Sequence, residues 1–370
     1  MRILFVGDEA SLPSELIEYI ADLGDDWQAQ QVADGNAAIA AAALSPFDAV
    51  IVAPVLPDLT AATLLGQIRT LRPDTIRIAL IDPDDSQRAP PARIIGVAHR
   101  FLPMPLTPEV MLEAVTSLEE LRELLNDPRL RSAIGRIEKV PSPPHLYLSL
   151  MHALEEDDGS DAAGIAKLIA GDPAIAAKVL QLCNSAVFSG GRSITDLRSA
   201  VTRLGVATLR DLVLASEVFS VQTLTPAERS NLQRRALLSS RLAAKVLPAT
   251  SAELGSTASL LADIGLLLPG VRDEREPPGE NDERLGHTEA GAYLLGLWGL
   301  PMPIIEAVAF HRHPQRSSLR SFWVTGAVHV ATSLASGEPV DEEYLAKVGV
   351  LSRLPSWREQ ADALLGLAEA

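Results

Sequence analysis

The chain has 370 residues, too many for one ordinary core, and its 47% hydrophobic and 22% charged residues exclude a disordered or fibrous polypeptide. Acidic residues outnumber basic ones 48 to 32, and residues 1–130 carry 9 Arg, no Lys and 20 acids. Recognition of a phosphate backbone needs a basic surface, so direct nucleic-acid binding is disfavoured.

No apolar run reaches membrane-spanning length, and the first strand-like segment starts at Ile3, which leaves no room for a signal peptide. The single cysteine, Cys183, excludes an internal disulfide and a cysteine-based zinc site. A cytoplasmic protein is expected.

Residues 1–115 alternate short apolar runs with amphipathic stretches, the pattern of a parallel α/β sheet. The expected strands are Ile3–Val6, Gln30–Ala33, Ala49–Ala53, Ile76–Ile81 and His99–Leu102. Between them Leu12, Leu16, Tyr19, Ile20 and Leu23 share one helical face, and Leu64, Leu65, Ile68 and Leu71 share another. Five strands with short loops predict a doubly wound, flavodoxin-like domain with its active end at the carboxyl ends of the strands. Asp82 to Pro91, polar and proline-rich, reads as a loop or a poorly formed helix.

From Pro108 the strands stop. Pro108–Leu125 reads as one long helix, with Leu112, Val115, Leu118, Leu121 and Leu125 spaced for burial. Asn126-Asp127-Pro128 and Pro141-Ser142-Pro143-Pro144 are breaks. The expected division is an α/β domain over 1–125 and an all-helical domain over 131–370. Asp172-Pro173 fits a helix cap, Thr195 can cap the helix carrying Leu197, Val201 and Leu204, and Gly205 suits that helix's end. Arg272 to Glu283 reads as the longest surface loop.

The layout of residues 1–120 resembles the receiver domain of two-component response regulators. The resemblance rests on Ile3 to Glu9, on Phe47 to Ala53 with Pro57, and on Phe101-Leu102-Pro103-Met104-Pro105. That family holds Mg²⁺ with an acidic pair, phosphorylates an Asp at the end of the third strand, and completes the site with a hydroxyl residue and a lysine. Here those positions fall on Gly7 and Asp8, Ala53, Ile81 and Met104. An alanine methyl cannot attack a phosphoryl group, and one carboxylate holds Mg²⁺ weakly. Asp58 reads as a turn residue rather than a substitute acceptor. The resemblance therefore implies a pseudo-receiver, a docking or dimerisation surface that is not phosphorylated at the usual position.

Residues from Ile134 onward resemble the HDOD domain, a module related to the HD metal-dependent phosphohydrolases. The carriers are Leu168 to Ala174, Leu180 to Ala186, Ser193-Ile194-Thr195, Ala200 to Gly205, Leu260 to Gly265, His287 to Ala292, Leu297 to Pro301 and Glu306 to His311. HD hydrolases hold metal with an upstream His, a His-Asp pair and a downstream Asp, and the metal generates hydroxide. Here the pair reads Ala262-Asp263, no His lies between His152 and His287, and the downstream acid falls on Thr332.

No catalytic residue, metal or cofactor is therefore expected. His287, His311, His313 and His329 still allow two readings, convergence with Asp263 on an unconventional metal site or a hydrogen-bonded remnant of the old cavity. His99, His145 and His152 read as loop or helix-surface residues. Trp298 and Cys183 read as core, and Asp172, Asn184 and Ser185 as cap and turn residues with an interaction role implied by the resemblance alone.

The resemblances together imply a non-enzymatic adaptor of two-component, phosphorelay or cyclic-di-nucleotide signalling. It would act by protein–protein interaction on signalling partners or on a second copy, without membrane insertion. Two rivals stay open, a metal-dependent phosphohydrolase or cyclic-di-nucleotide phosphodiesterase using the residual His and Asp, and a sensor that binds a small ligand without cleaving it.

Overall fold

The computed structural model describes residues 1–8, 15–22, 27–81, 94, 97–137, 162–184, 194–205, 225–277, 279, 282–317 and 321–369. Its first half is a five-stranded parallel sheet: β1 (Arg2–Val6), β2 (Gln28–Val32), β3 (Ala49–Val52), β4 (Ile76–Ile81) and β5 (Arg100–Pro103), in the order β2-β1-β3-β4-β5. That order is the doubly wound one shared by flavodoxin-like and receiver folds. β1, β3 and β4 are covered on both faces, which explains their near-continuous apolar runs: Ile3 to Val6 and Ala49 to Val52 are buried throughout.

The helices of this half are α1 (Glu15–Asp22), α2 (Gly35–Leu44), α3 (Ala61–Leu71) and α4 (Pro108–Leu124). Leu16 and Ile20 of α1, and Leu64, Leu65 and Ile68 of α3, are buried as the spacing predicts, but Leu71 at the end of α3 is exposed. Six of the ten α2 residues are alanine, with little contrast between the faces, so periodicity gives no signal there. Its start is fixed by Asp34, whose side chain accepts from the Ala37 amide, and by Asp58, whose carboxylate accepts from the amides of Gly35 and Asn36. Those bonds hold the Asp58 carboxyl below its usual pKa, the Gly35 amide foremost. Asp58 thus bridges its own loop to the start of α2. The stretch from Asp82 to Pro91 lies outside the described residues.

Asp127 caps α5 (Pro128–Gly135), with Pro128 in the first turn, so the expected break is a helix junction. Then come α6 (Ala162–Ala170), α7 (Pro173–Cys183), α8 (197–205), α9 (Pro226–Val246) and α10 (Ala249–Leu261). The cap of α8 is Asp196, whose Oδ1 accepts from the Ser199 amide at 2.7 Å, and not Thr195. Aspartate reaches the third amide of the helix directly, whereas Thr195 lies one residue too early.

After α10 follow β6 (Val271–Arg272), β7 (Leu285–Gly286), α11 (His287–Leu297), α12 (Met302–Phe310), α13 (Val324–Ser336), α14 (Glu342–Lys347) and α15 (Leu354–Glu369). The two short strands pair in parallel and are a β element that helical periodicity does not reveal. They close the base of the Arg272–Glu283 segment, in which Glu274 and Arg275 turn inward onto His287 and Asp263 while Glu276, Pro277, Gly279 and Glu283 are exposed, as a surface loop requires.

One apolar core runs from the sheet into α6, α7, α11 and α12, and a second lies among α9, α13, α14 and α15 around the fully buried Trp357. His99 is buried in the first, which corrects the surface reading of that residue; His145 and His152 lie outside the described residues.

Candidate functional site

The five receiver positions do come together at the carboxyl ends of the strands. The Ala53 amide donates to Val6 O at 2.9 Å just before Gly7, and the Met104 amide donates to Ile81 O at 2.9 Å. Ala53 and Ile81 are buried, while Asp8 is exposed. What they assemble is a hydrocarbon and thioether surface with one carboxylate at its rim. Ala53, at the acceptor position, offers no nucleophile for a phosphoryl group.

The second site forms where α10, α11 and α12 meet. Asp263 follows the end of α10 and starts a short 3-10 turn, Ile264–Leu267. His287 is the first residue of α11, and His311 closes α12. Two glycines set the approach: a Cβ on Gly265 would lie 1.9 Å from His287 O, and one on Gly291 would lie 2.9 Å from the Gly265 amide nitrogen. Only bare backbone on both sides lets the turn lie against α11 closely enough for Asp263 to reach His287.

Asp263, His287 and His311 offer ligand-type atoms that all lie within 4.8 Å of one another. His287 Nε2 is 3.2 Å from Asp263 Oδ1, and His311 Nε2 is 3.7 Å from the same oxygen. The other carboxylate oxygen, Oδ2, faces two guanidinium groups, Arg275 Nη1 at 3.1 Å and Arg235 Nη2 at 3.5 Å. Burial pushes the Asp263 carboxyl up, but the two imidazoles and Arg275 outweigh it and hold the group well below the usual carboxylate range.

His287 is fully buried and held from both sides. Its Nδ1 accepts the Glu274 amide at 3.1 Å and lies 3.2 Å from Glu274 Oε2. In the neutral ring Nδ1 takes the amide and Nε2–H donates to Asp263; in the protonated ring Nδ1–H is shared with the Glu274 carboxylate. Burial lowers the pKa of His287, and the carboxylates of Asp263 and Glu274 more than reverse that. Glu274 also accepts from the Thr288 amide at 2.8 Å, capping α11 from a distant segment. Burial raises its carboxyl, but these bonds bring it down to about 2.

His313 and His329 do not join the cluster. His313 is exposed. His329 is buried behind His311, with its Nδ1–H donating to His311 O at 2.7 Å and its Nε2 accepting the Asp341 amide at 2.9 Å. Thr332 spends its hydroxyl on its own helix, donating to Val328 O at 2.7 Å. Ala262 is buried and contributes a methyl. Among the described residues the donor set holds one carboxylate, Asp263, already paired with Arg275 and Arg235, so it is a poor match for a hydrolytic metal.

Arg275, Arg235 and Glu274 are the site residues that the sequence reading missed. The clue was slight: Arg275 follows Asp273 by two, and the two do pair, Nε to Oδ1 at 2.9 Å.

The implied interaction residues have structural occupations. Asp172 Oδ1 accepts from the amides of Ala174 and Ile175, capping α7 as expected. Asn184 donates to Leu180 O and Ile194 O and accepts the Ile194 amide at 2.7 Å, joining the chain across ten positions. Ser185 lies outside the described residues. Cys183 and Trp298 are core, and burial pushes the Cys183 thiol up to about 12. Among the described residues no helix is long and apolar enough to cross a membrane.

Comparison with known proteins places these features. The HDOD domain model matches residues 140–277. An uncharacterized protein of Treponema pallidum is 29% identical over 202 residues, covering 49% of this chain and 39% of the relative. The chain thus spans about two-fifths of the curated relative it matches.

Among solved structures, the MmoQ response regulator of Methylococcus capsulatus is 20% identical with a TM-score of 0.47, covering 58% of this chain and 97% of its own. A virulence factor of Campylobacter jejuni is 19% identical with a TM-score of 0.48, covering 66% and 98%. The chain joins an N-terminal five-stranded parallel sheet to a helical region, and residues 140–277 are the part that matches the HDOD domain model.

Proposed function

We propose that this protein is a non-enzymatic signalling adaptor that works by protein–protein contact, with signalling proteins of two-component or cyclic-di-nucleotide pathways as its partners. The observation that carries the reading is the state of Asp263. Its carboxylate is paired with Arg275 and Arg235 on one oxygen and with His287 on the other, so the residue that an HD hydrolase would use for metal works here as the centre of an ion-pair network. The hydrocarbon character of Ala53, Ile81 and Met104 supports the same conclusion for the sheet domain.

The rival hydrolase reading draws on the one feature that favours it, the convergence of Asp263, His287 and His311. Elemental analysis of the purified full chain, with turnover assays on a phosphodiester and a cyclic dinucleotide, separates the two. The adaptor reading expects no stoichiometric Fe, Mn or Zn, no turnover, and affinity capture of a signalling protein. Stoichiometric metal that is lost on Asp263→Asn, together with phosphoester cleavage, would establish the hydrolase instead.

A further inference from the structure

Three basic side chains and a histidine are buried where the sheet meets the helical region: Arg77, His99, Arg100 and Lys178. Neither Arg77 nor Arg100 forms an ion pair with a carboxylate among the described residues; their guanidinium groups donate mainly to backbone carbonyls, with the Ser117 hydroxyl beside Arg100 and His99 Nε2 2.7 Å from Arg77 Nη2. Carbonyls in fixed positions demand more of geometry than a mobile acid does, so such a cluster specifies one docking arrangement.

Arg100 lies at the centre. It starts β5, and its guanidinium passes between α4 and the end of α11. Nη1 donates to Ala114 O at 2.9 Å and to the Ser117 hydroxyl, while Nη2 donates to Gly296 O at 2.8 Å and Nε to Leu297 O at 3.4 Å. The last carbonyls of a helix lack intrahelical partners and attract a cation, so the end of α11 is a natural socket for it.

The socket is shaped for close approach. A Cβ on Gly296 would come within 2.4 Å of Leu121 Cδ1 on α4. Beside it, Gln181 of α7 donates to His99 O at 2.7 Å and accepts from Lys178, whose ammonium lies 4.3 Å from the Trp298 ring centroid. Arg77 adds a third tie, donating to Gly135 O at 2.9 Å at the end of α5.

We propose that this buried cationic clamp, with Arg100 seated on the Gly296 and Leu297 carbonyls, makes the sheet and the helical region one cooperative body, so that the β5–α4 face is closed to outside partners. The consequence goes beyond the adaptor reading and does not depend on it: a partner or a second copy must engage another face of the sheet.

The test uses the full chain. Hydrogen exchange measured by mass spectrometry is expected to give the slowest amides of β4 and of α11 the same opening free energy, and thermal unfolding to give one transition. Arg100→Met keeps the hydrocarbon stem and removes the donors; it is expected to split the unfolding into two transitions and to speed exchange across β5 and the α11 terminus at least tenfold. Separate opening free energies for β4 and α11 in the unaltered chain would overturn the proposal. So would an R100M protein that keeps a single transition and unchanged exchange. Should R100M fail to fold, exchange in the unaltered chain still decides between the outcomes.

Discussion

Arg275 Nη1 lies 3.1 Å from Asp263 Oδ2 in a setting where the arginine is about one-tenth exposed and the aspartate little more. A pair so sheltered is costly to break from one side, because the survivor stays buried without its counter-charge. Asp263→Ala is expected to destabilise the protein by about 3–5 kcal/mol, read from the denaturant midpoint. The double variant D263A/R275M removes both charges and is expected to recover part of that loss. Losses that simply add would show that the pair is not coupled.

Acid should act on His329 before it reaches the carboxylates. Burial, the largest influence, lowers this imidazole from 6.5 to about 4. An unfolded chain then binds a proton that the folded one refuses, so stability falls as pH drops from about 6.5 to about 4, by up to about 3 kcal/mol. His287 has the opposite sign: its folded pKa is raised, so its contribution is complete below 6.5 and is lost as pH rises through the folded value. Unfolding midpoints across pH for His329→Asn should flatten in part on the acid side, where His99, held well below 6.5 by burial, keeps its own share, and those for His287→Asn on the alkaline side.

Restoring one acid to the sheet should not restore phosphorylation. Ala53→Asp puts a carboxylate at a fully buried position, with Ile81 and Met104 still lacking a hydroxyl and an ammonium. Incubation with acetyl phosphate and Mg²⁺ is expected to add no phosphate by intact mass, and the variant should be less stable than the parent.

The Cys183 thiol, donating to Ala200 O at 3.4 Å and raised to about 12 by burial, should be inert while the protein is folded. Its labelling by a disulfide reagent is expected to follow the opening of the core; fast labelling of native protein would contradict this burial.

Sequence pattern carried much of the architecture. β4 spans Ile76–Ile81 as its apolar run predicts, and the caps at Asp127 and Asp172 lie where an acid precedes a proline. The meeting of Asp263 with His287 and His311 was legible only as one of two readings that the HD resemblance offered, and that reading also included His313 and His329, which stand apart. The partners of Asp263 were not, because an arginine in an acidic, proline-bearing stretch looks the same whether it faces water or a buried carboxylate. Arg77 and Arg100 were hidden for a related reason. Periodicity reports which faces are apolar, and it is silent about a guanidinium whose acceptor lies 196 positions away.

The close passage of Gly265 against Gly291 separates scaffold from chemistry. Main-chain atoms and one Ile264 methyl set the gap between the turn and the helix it crosses, so the recess keeps its outline whichever polar groups line it. A recess walled by such a crossing can carry a different polar lining, residue by residue, without refolding its walls.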